Sequence, residues 1–152
     1  MKKQKITKFG KNYYLLGKRK ENGAKVWLEE GHFDCDWYWG IGYVEGFNAR
    51  YTDINMHTHF DSLFLNGKKC CIDLFKGYFN DTTLTEEETW QLLENMKTLY
   101  TMREYSDTLY IGGSNITSNE NAEIIKNNEE YKRINKVVIP KLLETIYKIL
   151  GV

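Results

Sequence analysis

The sequence is short of the residues that usually announce a class. It has one proline, Pro140, and three cysteines, Cys35, Cys70 and Cys71, in 152 residues. An odd count with an adjacent pair is no disulfide framework, so the chain is expected in the cytoplasm. No apolar run approaches the roughly 20 residues that span a bilayer, and no membrane partner is expected. Met1-Lys2-Lys3-Gln4-Lys5 is basic enough to open a secretory leader, but Ile6-Thr7-Lys8-Phe9-Gly10-Lys11 is no apolar core for one. Asn80-Asp81-Thr82 and Asn115-Ile116-Thr117 match the glycosylation pattern, which has no consequence in a cytosolic chain. There is no Walker loop, no dinucleotide fingerprint and no elbow serine. Gly112-Gly113-Ser114-Asn115 lacks the lysine of a phosphate loop. One proline and no low-complexity tract argue against a disordered tail.

Aromatic residues are abundant, with eleven tyrosines, seven phenylalanines and four tryptophans. They supply large buried area, or a binding face where exposed. The length suits one domain with a core of its own. The expected architecture is α+β across 1–152: an N-terminal antiparallel β-sheet (1–60 mainly β) packed by C-terminal helices (61–152 mainly helical). Residues 5–9 and 12–18 read as strands, with a return strand over 24–29 and a turn at Glu21-Asn22-Gly23, because Asn-Gly tolerates the positive φ of a tight hairpin. Tyr13, Leu15, Val26 and Leu28 are the expected inward positions. A third strand runs from Trp37 to Phe47. Period-two alternation puts Trp37, Trp39, Ile41, Tyr43, Glu45 and Phe47 on one face and Gly40, Gly42 and Gly46 on the other. A glycine face admits a helix, another backbone or a ligand at close range.

After residue 60 the period changes. Thr85 followed by Glu86, Glu87 and Glu88 carries the marks of a helix start, a hydroxyl N-cap with Glu88 placed for a capping box. Trp90, Leu92, Leu93, Met96, Leu99 and Tyr100 then recur at helical spacing, which predicts a helix to about Tyr105. A short helix is expected over 120–127, and a last one from Tyr131 to Leu150 that Pro140 kinks or divides. Between these halves, 62–64 and 70–79 each read as a candidate short helix.

The net charge of zero hides a strong segregation. Met1 to Lys25 holds nine Lys/Arg against one acid, whereas Val26 to Asp61 holds one arginine against seven acids. A basic hairpin with Lys18, Arg19, Lys20, Tyr13 and Tyr14 has the makings of a nucleic-acid surface, with amines on phosphates and rings on bases. The plainer reading is that the lysines solvate an edge and discourage edge-to-edge pairing. The acidic stretches have the sign to meet a basic groove on another protein.

His57-Thr58-His59-Phe60-Asp61 is the sharpest chemical feature. On an extended segment His57, His59 and Asp61 point to one side, where a cysteine such as Cys35 or Cys70 would complete a single zinc site. The run is similar to the start of the H-x-H-x-D-H signature of metallo-β-lactamase-type hydrolases, but Ser62 stands at the sixth position and the remaining histidine is His32. That is too few ligands for a two-metal centre. Cys35 lies between Asp34 and Asp36, which raise a thiol pKa and oppose a reactive thiolate. Glu86-Glu87-Glu88 is better explained by helix capping than by acid–base catalysis.

Asp34-Cys35-Asp36-Trp37-Tyr38-Trp39-Gly40-Ile41-Gly42-Tyr43-Val44, with Tyr13-Tyr14-Leu15-Leu16-Gly17 before it and His57 to Phe64 after it, resembles a family of short uncharacterised bacterial and phage proteins. Trp90-Gln91-Leu92-Leu93 and Val138-Ile139-Pro140 extend the likeness over nearly the whole chain. The resemblance implies no catalytic residues. With no catalytic constellation, segregated charge and abundant Tyr and Trp, a non-enzymatic binding protein acting on a protein or ribonucleoprotein partner is expected; the resemblance adds a phage or mobile-element type, with an inhibitor of a CRISPR-Cas-like defence nuclease as the concrete form. The alternatives are a zinc hydrolase or zinc-stabilised domain, and a nucleic-acid binder. A zinc held by His57 and His59 would register as one equivalent per chain in elemental analysis of the purified protein; a folded, metal-free protein removes that alternative.

Overall fold

Hairpin chemistry sets the first part of the molecule. The computed structural model describes residues 1–8, 10–30, 42–44, 67–111 and 121–151. Strand β1 (Lys5–Lys8) turns through Gly10, at φ 72°, into β2 (Lys11–Arg19). The next turn carries the Asn-Gly signature: Gly23 has φ 69°, and the Asn22 side-chain oxygen accepts from the Ala24 N–H at 3.0 Å. The Arg19 N–H donates to the Ala24 carbonyl at 2.8 Å and closes the turn into β3 (Lys25–Glu29). Strand β4 (Gly42–Val44) pairs with β3, placing Gly42 opposite Leu28, Tyr43 opposite Trp27 and Val44 opposite Val26. The other residues of the expected 37–47 strand, Trp37 and Trp39 among them, lie outside the described residues.

The four expected inward positions, Tyr13, Leu15, Val26 and Leu28, are all buried, but the register divides them between two faces. Tyr14 stands opposite Leu28 and Leu15 opposite Trp27, and then the ladder shifts, with Gly17 opposite Val26. Tyr14, Leu16, Val26 and Leu28 therefore join the core beneath the helices, while Tyr13, Leu15 and Trp27 form a second cluster with Ile6. Both sets are buried. Apolar residues run without a break from Tyr13 to Leu16, so period two alone cannot tell which set meets the helices.

An unexpected fifth strand completes the sheet. Helix α1 (Lys68–Tyr78) ends where Phe79 turns extended, at φ −124° and ψ 136°, and β5 (Phe79–Thr82) follows. It pairs antiparallel with β2, Gly17 opposite Thr82 and Lys18 opposite Asp81. The described strands thus run in the order β1-β2-β3-β4, with β5 also on β2. The carbonyl of the bulged Leu16 accepts from the Thr83 N–H at 3.1 Å and the Thr82 hydroxyl at 2.9 Å. Phe-Asn-Asp-Thr is poor strand sequence, since Asn and Asp disfavour strands. Pairing with β2 overrides that preference.

Helix α2 (Glu86–Ile111) starts as its sequence predicts and runs six residues past Tyr105. The Glu88 N–H donates to the Thr85 hydroxyl, and the Thr85 N–H to the Glu88 carboxylate, each at 3.1 Å. Such a box is worth about 1 kcal/mol. Leu92, Leu93, Met96 and Leu99 enter the core. Helix α3 (Asn121–Arg133) begins near the expected short helix and does not stop at Asn127. It continues through a π-helical turn (Ile134–Val138) into α4 (Ile139–Leu150). The expected last helix is divided into α3 and α4 by this π-helical turn, which ends just before Pro140, while the helical path itself carries on. The proline ring would strike the carbonyl four residues back, and the residue has no N–H to give. The wider turn before it, in which the Ile139 N–H reaches the Ile134 carbonyl, accommodates both defects.

Gly17 marks the tightest approach in the sheet. A Cβ there would lie 2.4 Å from the Asp81 carbonyl oxygen and 2.8 Å from the Phe79 ring. Gly17→Ala is expected to destabilise the fold by about 1–3 kcal/mol and to speed amide exchange in β5. Gly77→Ala, in α1 with no atom within 4 Å of its Cβ, should be neutral or stabilising by up to about 1 kcal/mol. Chemical denaturation of the two variants checks the contrast.

Candidate functional site

The charge map of the folded chain differs from that of its sequence. Glu86, Glu87 and Glu88 each take a lysine from elsewhere: Lys76 from the end of α1, Lys68 from its start at 2.8 Å, and Lys3 from the segment before β1. The Lys76 bond and charge hold the Glu86 carboxyl below its ordinary range. For Glu88 burial pushes upward, but the Lys3 and Thr85 bonds outweigh it and leave the group lowered. Lys11 reaches the buried Glu29 at 2.6 Å, and Arg19 reaches Glu21 at 3.3 Å. Of the nine N-terminal cations, Lys3, Lys11 and Arg19 are thus ion-paired within the fold, while Lys18 and Lys20 are exposed at the hairpin tip.

The candidate residues from the sequence separate accordingly. Tyr13 and Tyr14 are only 2% and 4% exposed, so neither ring is presented for stacking on a base. Burial of both sheet faces is the reason, and it corrects the expectation of a tyrosine-bearing nucleic-acid surface. His57, His59, Asp61, Cys35, Trp37 and Trp39 lie outside the described residues. Of the adjacent cysteines, Cys70 is exposed and Cys71 buried. Burial, then the neighbouring Cys70, pushes the Cys71 thiol up, away from thiolate chemistry. Among the described residues no three His, Cys, Asp or Glu side chains come together as a metal site, and no helix is long and apolar enough to cross a membrane.

What the fold does assemble is a groove where β1 and β2 meet α4. Its floor is a pair of stacked tyrosines, Tyr14 from β2 and Tyr147 from α4, with ring centroids 5.5 Å apart and planes inclined by 9°. Leu143 and Pro140 extend the apolar wall along α4, and the space is about 670 Å³. Lys5, directly across from Tyr14 in the register, holds its ammonium 5.5 Å from the centre of the Tyr14 ring. Lys148 stands on the α4 side, bonded to Glu144 at 3.0 Å. The groove ends at Gly151, whose N–H caps the Tyr147 carbonyl at 2.7 Å, and a Cβ at that position would meet the same carbonyl at 2.7 Å. The lining thus combines the tyrosine pair and apolar side chains with the Lys5 amine and the Lys148–Glu144 ion pair.

Tyr14 is fixed at its far end as well. Its hydroxyl donates to the Glu30 carboxylate at 3.2 Å. Burial, reinforced by the Glu30 charge and hydrogen bond, pushes its pKa from 10.0 up to about 12. Of the groove residues, sequence reasoning singled out Tyr14 alone as a binding residue, and for another role. The available signal was Tyr147 among the apolar positions of the last helix, but nothing local links it to Tyr14 or Lys5.

Searches against protein-family models, curated proteins and solved structures found no match.

A phenol whose pKa is raised on folding stabilises the fold fully below its unfolded value of 10.0, and that contribution is lost as pH rises towards about 12. Tyr14→Phe should therefore flatten the loss of stability above pH 10 relative to wild type, measured by urea unfolding across pH 9 to 12.

Proposed function

We propose that the protein is a non-enzymatic binding protein that engages a protein or ribonucleoprotein partner through the groove between β1 and α4. The observation that carries this reading is the stacked Tyr14–Tyr147 floor set between Lys5 and Lys148. Sites of catalysis gather titratable groups poised to exchange protons near the working pH. Here burial keeps Tyr14 neutral, and the Lys148 bond holds the Glu144 carboxyl ionised. What the groove offers is the apolar area of Leu143 and Pro140, the half-buried Tyr147 ring, the Lys5 amine and the Lys148–Glu144 pair, features of the kind found at protein interfaces.

A protein surface fits better than bare nucleic acid. With Tyr13 and Tyr14 buried and Lys3 and Lys11 ion-paired, the hairpin keeps amines at its tip but no stacking platform. The phage or mobile-element setting, and inhibition of a CRISPR-Cas-like nuclease as its concrete form, rest on the family resemblance alone.

The test is co-purification of the tagged chain with candidate defence nuclease complexes, followed by a nuclease assay. Lys5→Glu combined with Lys148→Glu, both at exposed positions, should weaken capture at least tenfold in a still-folded protein, with a loss of only a few degrees in melting temperature from the broken Lys148–Glu144 pair. Capture that ignores both reversals would remove the groove as the contact surface. Capture without any effect on cleavage would remove the inhibitor form.

A further inference from the structure

We infer that the partner docks as an extended segment added to the outer edge of β1, with an acidic side chain two residues from an apolar one. The inference rests on the binding reading of the groove and adds the main-chain mode and the chemistry of the segment.

The backbone supplies the first argument. β1 is the last strand of the described order, and no described strand lies beyond it. The Leu15 N–H donates to the Gln4 carbonyl at 2.9 Å, and Tyr13 faces Ile6 in the register. In an antiparallel ladder the residues between bonded pairs turn their polar groups the other way. The N–H and C=O groups of Lys5 and Thr7 therefore point away from β2, as a set of donors and acceptors at strand spacing. An added strand takes its affinity from such groups and its selectivity from pockets under alternate side chains.

The groove lies where those side chains would fall. Lys5 and Tyr14 share one face of the sheet, and α4 brings Tyr147, Leu143 and Pro140 alongside. A strand laid against β1 would place every second residue over this floor. One such position meets the half-buried Tyr147 ring and Leu143, which suits a branched aliphatic side chain. One neighbouring position on the same face meets the Lys5 ammonium, which suits a carboxylate, and the other lies towards Lys148, whose ammonium is shared with Glu144.

Charge also selects among occupants. The exposed edge reads Lys5-Ile6-Thr7-Lys8. Two copies of it laid edge to edge would set lysine near lysine, which disfavours self-pairing. The same lysines attract an acidic strand. A short, basic edge thus resists its own copies and still accepts a complementary segment.

The experiment titrates the full ¹⁵N-labelled chain with the heptapeptide Thr-Glu-Thr-Leu-Thr-Glu-Thr, with a control in which lysine replaces both glutamates. Expected are shifts and at least tenfold slower exchange at the Lys5 and Thr7 amides, and at least tenfold weaker binding of the lysine control. Thr7→Pro should abolish binding in a still-folded protein, because an edge strand tolerates proline where the N–H faces outward. Lys5→Glu with Lys148→Glu should reverse the preference between the two peptides. Binding that leaves the Lys5 and Thr7 amides unchanged, or no binding at millimolar peptide, would overturn strand addition. If partner capture still depends on Lys5 and Lys148, the groove reading survives that failure; if capture ignores them, both fall. Displacement of the peptide by a ten-residue oligothymidylate would overturn the choice of a protein segment.

Discussion

Strand β2 is hydrogen-bonded along both edges, and the other elements take their places from that double pairing. One edge holds β3; the other holds β1 and β5. Accommodating β5 requires the bulge at Leu16 and the bare Cα of Gly17, because any side chain there would meet the β5 backbone. Once β5 is seated, Thr82 and Thr83 satisfy the Leu15 and Leu16 carbonyls, and the chain leaves the sheet at the point where α2 begins. A buried carbonyl without a partner would cost about 1–3 kcal/mol, a cost that these threonines remove.

The α1–α2 junction is then organised by charge. The first turn of α2 presents three consecutive glutamates, favourable against the helix dipole on their own account. Each also collects a lysine, and the three lysines come from both ends of α1 and from the N-terminal segment. Surface pairs of this kind contribute little individually. Their greater effect is on the outside: they remove Lys3 from the basic patch of the sequence and leave Lys5 to face the groove.

The groove follows from the same placement. α4 packs on the helix-facing side of the sheet, where Tyr147 meets Tyr14. The tyrosine pair closes the core at one end and floors a recess at the other, so a packing contact and a candidate contact surface share the same rings. The π-helical turn before Pro140 keeps α3 and α4 continuous and leaves Val137 58% exposed, one turn ahead of the groove wall. That continuity gives the groove a wall of regular helix rather than a loop.

Local chemistry was legible in the sequence. Asn22-Gly23 specified its turn because positive φ is a property of the residue, and Thr85 with Glu88 specified the start of α2 because a capping box closes over three residues. The α+β order and the buried face of α2 were readable from period for the same reason. Longer-range choices were not. Tyr13 and Tyr14 are equally apolar by pattern, and only the register with β3 decided that Tyr14 lies beneath the helices. Residues 79–82 became a strand because β2 had an open edge, against their own preference. Lys5 and Tyr147 lie far apart along the chain, so no spacing rule relates them. The sequence by itself determined where turns and helices begin, through dihedral preference and near-neighbour bonds; the tertiary structure decided which faces are buried, which charges are matched and where the groove opens, because those depend on what packs against what.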